Sequence, residues 1–180
     1  MRPARTAMAG NGQIRLRGSR FRGLLRAGPI TAMPKQFKVR AATGEDAGAI
    51  AVLSAELGYP AEMETVRGRL RRILSRDDQR VVVAELPGGR ICGWLQAHCS
   101  EAVESGLRVE IVGLIVSDAM RRRGVGRSLV AQAETWAAEI SAETVVARSN
   151  ANRVESHAFY PALGYLPSKT QVVYRRQAGI

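Results

Sequence analysis

Apolar residues recur along residues 37–176 at two different spacings, and the switches between them mark out the elements. Residues 37–40 alternate, residues 80–86 are a nearly unbroken run of valine and alanine, and residues 91–99 follow after Pro87-Gly88-Gly89 as the second arm of a hairpin. Residues 111–116, 143–148, 165–166 and 171–176 also read as strands. A spacing of three or four places Ala47, Ile50, Ala51, Ser54 and Leu57 on one helix face, and Val66, Leu70 and Ile73 on a second over residues 61–74. Val125, Leu129, Ala133 and Trp136 line a third helix closing near Glu139, and residues 154–163 form a shorter fourth.

Punctuation supports these boundaries. Thr43 and Asp46 have capping-box spacing, with Thr43 accepting from a helix amide and Asp46 reaching back. Gly58-Tyr59-Pro60 ends the first helix, residues 100–106 form a polar link, and Gly164 stops the last helix. The order β, α, α, β, β, β, α, β, α, β, β predicts an α/β fold with a mixed, mostly antiparallel central sheet and helices on both faces. The helix between residues 111–116 and 143–148 predicts that those two strands lie parallel.

Composition narrows the function classes. The 180 residues suit one domain, and an apolar fraction of 46 % can fill a core. No run of 18 apolar residues exists, which argues against a membrane partner. Cys92 and Cys99 lack CxxC spacing, and His98 and His157 form no cluster with them, so neither a metal site nor a disulfide framework is expected. A cytoplasmic location fits. The net charge of +11 suggests nucleic acid until its distribution is considered. Residues 1–36 hold seven arginines, one lysine and no acid, so residues 37–180 are close to neutral. We read 1–36 as a flexible basic leader, a targeting peptide or residues ahead of a true start at Met33, and 37–180 as the domain. No aromatic and basic interleaving suited to stacking bases is present, so no nucleic-acid partner is expected.

The chemistry concentrates where the strand over 111–116 meets the helix at Val125. Arg121, Arg122, Arg123 and Arg127 surround Gly124 and Gly126, and the first amides of a helix are unpaired donors. Such a turn can hold a phosphorylated ligand, with roughly 0.3–1 kcal/mol added by the helix dipole. The dinucleotide fingerprint fails because Leu129 stands where its third glycine belongs, and no GxxxxGK run exists.

Arg121-Arg122-Arg123-Gly124-Val125-Gly126 instead resembles the coenzyme A pyrophosphate loop of the GNAT superfamily of N-acetyltransferases. A second segment, from Ser149-Asn150-Ala151-Asn152 to Phe159-Tyr160 and Gly164-Tyr165, resembles that superfamily's last strand-helix unit. It is especially similar to a bacterial small-molecule branch with an Arg, two residues, Ala, His, one residue, Phe-Tyr signature; here Ser156 replaces the alanine. The resemblance covers residues 37–176. It implies the acyl-CoA N-acyltransferase fold and acetyl-CoA as donor.

The same resemblance assigns roles. Tyr160 would protonate the departing thiolate: a phenol near pKa 10 remains protonated at neutral pH and can give its proton to a thiol near 8.5. Glu110, a carboxylate at the start of an apolar run, would take the proton of the attacking amine. Backbone amides around Leu114, Ile115 and Val116 would meet the thioester and pantetheine. Arg121, Arg122 and Arg127, with the amides of Arg123, Gly124, Val125 and Gly126, would hold the pyrophosphate; Asn152 would bond the pantetheine arm or cap the last helix. Phe159 should be core. No cysteine lies in either motif, so direct attack by a primary amine is expected. A small-molecule acceptor is favoured and a homodimer is possible. A protein N-terminal acetyltransferase and an inactive coenzyme A-binding module are the other readings.

Overall fold

The computed structural model describes residues 36–56, 58–152 and 154–179. The expected leader lies, except for Gln36, outside the described residues, as does Leu57. The described elements are β1 (Lys38–Ala41), α1 (Ala47–Glu56), α2 (Met63–Leu74), β2 (Gln79–Glu85), β3 (Ile91–Ala102), β4 (Gly106–Val116), α3 (Val125–Glu139), β5 (Thr144–Ala147) and α4 (Val154–Phe159). The strands form one sheet in the order β1-β2-β3-β4-β5, antiparallel except for the parallel pair β4–β5. This is the mixed, mostly antiparallel sheet that the apolar spacings predict.

Each face of the sheet carries its own core. On one face Leu95, Ala97, Val109 and Ile111 pack against Val125, Leu129, Val130, Ala133 and Trp136 of α3. On the other, Val81 and Val83 pack with Ala47, Ile50 and Ala51 of α1 and Val66 and Leu70 of α2. Gly93 lets α3 come close: a Cβ there would lie 2.8 Å from the Ile115 carbonyl oxygen and 3.3 Å from both Leu129 and Val125. No side chain caps the start of α3. Burial of Val125, Leu129, Val130 and Trp136, about 1.5–3 kcal/mol each, outweighs the roughly 1 kcal/mol that a cap contributes. Tertiary packing therefore holds this helix, leaving its first-turn amides uncapped.

One sequence expectation holds at the start of the chain's first helix, and three others are corrected. The expected capping box starts a 3-10 turn, Gly44–Asp46, before α1. There the Thr43 side chain accepts from the Asp46 amide and the Asp46 carboxylate accepts from the Thr43 amide at 2.7 Å, as the spacing predicts. Asp46 also accepts two bonds of 2.8 Å from Arg40. The link expected over 100–106 is mostly strand, because the β3–β4 ladder continues to the Ala102–Gly106 pair. The last helix is shorter: Pro161 lacks an amide hydrogen, and after Phe159 the chain continues as a 3-10 turn, Pro161–Leu163.

The third correction concerns the two final strands. Residues 165–179 belong to no strand or helix. A strand is stable only on a ladder partner, and this segment pairs with none of the described strands. Val172, Val173 and Tyr174 are consequently 75–90 % exposed.

Candidate functional site

The site begins with an irregularity in β4. Its register against β3 shifts between the Gln96–Gly113 and Ala97–Ile111 pairs, leaving Val112 as an extra residue. A bulge reverses which residues turn their backbone groups toward each neighbouring strand. The Ser117 amide donates to the Cys92 carbonyl at 2.9 Å. By antiparallel alternation, Ile115 and Gly113 then face β3, whereas the N–H and C=O groups of Leu114 and Val116 face the β5 side.

No β5 ladder meets them there. β4 and β5 pair from Arg108–Thr144 to Ile111–Ala147, and past that point the two strands part. The predicted parallel pairing is therefore real but confined to the first half of β4. Of the three residues expected to present amides, Leu114 and Val116 turn their backbone groups to the β5 side, whereas Ile115 turns its own to β3 and its side chain is buried.

The parted strands lead into the arginine turn. After Ser117 the chain makes a 3-10 turn, Asp118–Met120, and Met120 is buried beneath it. Arg122 (φ 59°) and Gly124 (φ 81°) both take the left-handed conformation, which costs a non-glycine residue roughly 1–2 kcal/mol. Gly124 is the N-cap of α3, and a Cβ built on it meets nothing within 4 Å. The first helical hydrogen bond runs from the Ser128 amide to the Gly124 carbonyl, so the amides of Val125, Gly126 and Arg127 have no helical acceptor.

The four arginines differ in their engagements. All are exposed, but Arg121 forms an ion pair of 2.8 Å with Asp118, and Arg127 donates to the Ala162 carbonyl at 3.3 Å. Arg127 thus ties the start of α3 to the 3-10 turn after α4. Two further contacts fasten the same segments. The Phe159 ring lies 3.1 Å from a Cβ built on Gly126, and the Tyr165 hydroxyl donates to Glu134 at 3.1 Å. Phe159 is part-buried against the α3-side core, as expected.

This fastening holds the segment that carries Tyr160. Its ring contacts Phe159 and Tyr165 edge-on, with centroids 5.1 and 5.5 Å away. Burial pushes the Tyr160 phenol above its ordinary value, so it remains a proton donor across neutral pH. Asn152 is exposed, and its amide donates to the Asn150 side-chain oxygen at 2.9 Å.

Glu110 occupies the opposite sheet face from α3. It is buried, forms an ion pair of 2.8 Å with Arg148 Nε and lies 3.9 Å from Arg108 Nη2. Arg108 is held in turn by Ser100 and Ser105, at 3.4 and 3.3 Å. His98 is directly opposite Glu110 on β3. The sequence reading singled out neither Arg108 nor Arg148. Arg108 shares the alternation of Glu110, a signal available in the sequence. Arg148 joins only through the β4–β5 register.

A cleft of about 660 Å³ opens beside Ser117–Ala119, bordered by α1 and Cys92. Burial raises the Cys92 thiol above its usual pKa, which disfavours the nucleophilic thiolate. Among the described residues no group of three or more His, Cys, Asp or Glu could hold a metal ion, and no helix is long and apolar enough to cross a membrane.

Comparison with known proteins agrees with this geometry. The model of the Acetyltransferase (GNAT) family matches residues 48–165. The aminoglycoside 6'-N-acetyltransferase AAC(6')-Ih from Acinetobacter baumannii has a similar structure, with 19 % identity, TM-score 0.70, and 79 % of this chain and 99 % of that one covered. A transcriptional regulator from Bacillus halodurans C-125 superposes with 22 % identity and TM-score 0.71, over 78 % of this chain and 99 % of its own. AAC(6')-Iy, solved with the bisubstrate analog CoA-S-monomethyl-acetylneamine, matches with 18 % identity and TM-score 0.70, over 79 % and 99 % of the two chains. A comparison with curated proteins returns no match.

Proposed function

The chain belongs to the Acetyltransferase (GNAT) family, and on that premise we propose that it transfers the acetyl group of acetyl-CoA to the primary amine of a small molecule by direct attack. The observation that carries this reading is the parting of β4 from β5 after the Ile111–Ala147 pair, with Leu114 and Val116 turned into the gap and an uncapped helix start beyond it. The thioester carbonyl and pantetheine amides would bond to those backbone groups, which otherwise lack a ladder partner. The pyrophosphate would lie over Gly124, where space is open, and take donors from the amides of Val125 to Arg127. Arg122 and Arg123 would add charge-assisted bonds, and Arg121 would have to share itself with Asp118.

The proton movements follow from the side chains. Tyr160 would give its phenolic proton to the leaving thiolate as the C–S bond breaks. Glu110 would receive the proton of the amine. Its Oε1 is ion-paired with Arg148, but the carboxylate oxygens keep lone pairs that can receive the proton directly or through a water. Buried Cys92 offers no route to an acetyl-enzyme. The relatives named for aminoglycosides, together with AAC(6')-Iy carrying a bisubstrate analog, support a small-molecule acceptor.

The test combines calorimetric titration of acetyl-CoA with thiol release across a panel of amines, amino acids and peptides. Binding together with amine-dependent thiol release is expected. Binding without release from any acceptor would favour an inactive coenzyme A-binding module, and preference for peptides would favour N-terminal acetylation.

A further inference from the structure

The vertex where β4 and β5 separate carries a charge arrangement that bears on the acceptor. Arg148 follows Ala147, the last β5 residue paired with β4, so it stands at the point from which the gap opens. In the parallel register Val146 is opposite Glu110, and Arg148, two residues on, shares that face. Arg148 Nε lies 2.8 Å from Glu110 Oε1 as an ion pair, yet the Arg148 side chain is 57 % exposed while that of Glu110 is 7 % exposed. The buried carboxylate therefore holds the arginine by its inner nitrogen, and the two Nη groups provide a remaining donor edge. Arg108 approaches the same carboxylate to 3.9 Å and is fixed by Ser100 and Ser105. Two guanidinium groups share one carboxylate, so the cluster retains net positive charge. That charge repels a polycation and attracts an anion.

We propose that the acceptor carries a carboxylate close to its reacting amine, in the manner of an α-amino acid, and that the free edge of Arg148 binds it. This inference rests on the acetyltransferase reading above and narrows its acceptor class. A planar guanidinium pre-oriented by a buried partner pairs with a carboxylate in a forked geometry, loses little side-chain entropy in doing so, and fixes the acceptor's orientation. An amine one carbon from that carboxylate would be held at the vertex, beside the gap proposed for the thioester and on the same face as Glu110. Arg148 is in this account a specificity residue, and Glu110 positions it in addition to serving the proton.

The experiment compares α-amino acids with their own carboxamides and methyl esters, and with an aminoglycoside, by thiol release from acetyl-CoA using the full chain. We expect kcat/KM for the free acid of at least one amino acid to exceed that of its carboxamide by about tenfold or more. Arg148→Gln should remove that preference chiefly through KM, Arg148→Lys should restore part of it, and acetyl-CoA affinity by calorimetry should be unchanged in both. Equal or faster turnover of the carboxamides, the esters or the aminoglycoside overturns the inference, as does a preference that survives in Arg148→Gln. Acetyl-CoA binding with no amino acid consumed also overturns it, while leaving the coenzyme site standing. Failure to bind acetyl-CoA would instead remove the acetyltransferase reading itself. The comparison of acid with amide uses the unaltered protein, so it stands even where an Arg148 variant fails to fold.

Discussion

The Phe159 ring edge fills the space that a side chain on Gly126 would need, at 3.1 Å from both Cε2 and Cζ to a built Cβ. Gly126 is thus small because α4 packs on it, whereas Gly124 is free of steric neighbours and is required for its left-handed backbone. The two glycines of one motif answer to different constraints. Gly126→Ala should displace Phe159 and with it Tyr160, lowering both thermal stability and kcat. Gly124→Ala should cost about 1–2 kcal/mol of stability through backbone strain alone. Denaturation of the two variants, with kcat measured on each, checks the contrast; equal losses of kcat would refute it.

Tyr160→Phe keeps the edge contacts with Phe159 and Tyr165 and removes only the hydroxyl. Turnover should fall by about 10²–10⁴, the usual range for a general acid, with acetyl-CoA affinity nearly unchanged. Because burial raises this phenol, its protonated, active form persists through the ordinary value of 10. No alkaline loss of kcat attributable to Tyr160 should therefore appear below about pH 10. A pH–rate profile on both proteins tests this.

Glu110→Gln keeps the size of the side chain beside Arg148 but cannot take up a proton. The deficit in kcat/KM should be greatest near neutral pH and shrink as the pH approaches that of a free alkyl amine, about 10, where the acceptor is already neutral. A deficit independent of pH would assign Glu110 to positioning Arg148 alone.

Asp46 links stability to acid. Burial opposes its ionisation, but hydrogen bonds from Arg40 and Thr43 more than offset that and hold the carboxyl below its ordinary value. The unfolded chain therefore takes the proton first. Asp46's contribution is complete above the unfolded value of about 3.9 and is lost as pH falls through the lower folded value. Arg40→Met should remove much of this acid-side dependence and cost about 1–3 kcal/mol at neutral pH, since Asp46 remains buried. Urea denaturation at pH 7 and pH 3 measures both effects.

Local spacing was enough to determine much of this protein. Short-range periodicity depends on how a helix or strand exposes one face, so α1, α2, α3 and β1 to β5 are readable from residues such as Val125, Leu129, Ala133 and Trp136. The arginine and glycine turn, and Tyr160 next to a core Phe159, are likewise local patterns. Tertiary structure alone decided what depends on two distant segments meeting. The Val112 bulge reverses the facing of Leu114 through Val116, yet no single residue announces it, because register is set by the whole β3–β4 ladder. Glu110 and Arg148 are 38 positions apart and meet only through the β4–β5 pairing. Residues 171–176 have a strand's alternation without a strand's partner, and alternation supplies no ladder hydrogen bonds. Sequence fixes what a segment prefers on its own; pairing and packing decide which backbone and charged groups remain available for a ligand.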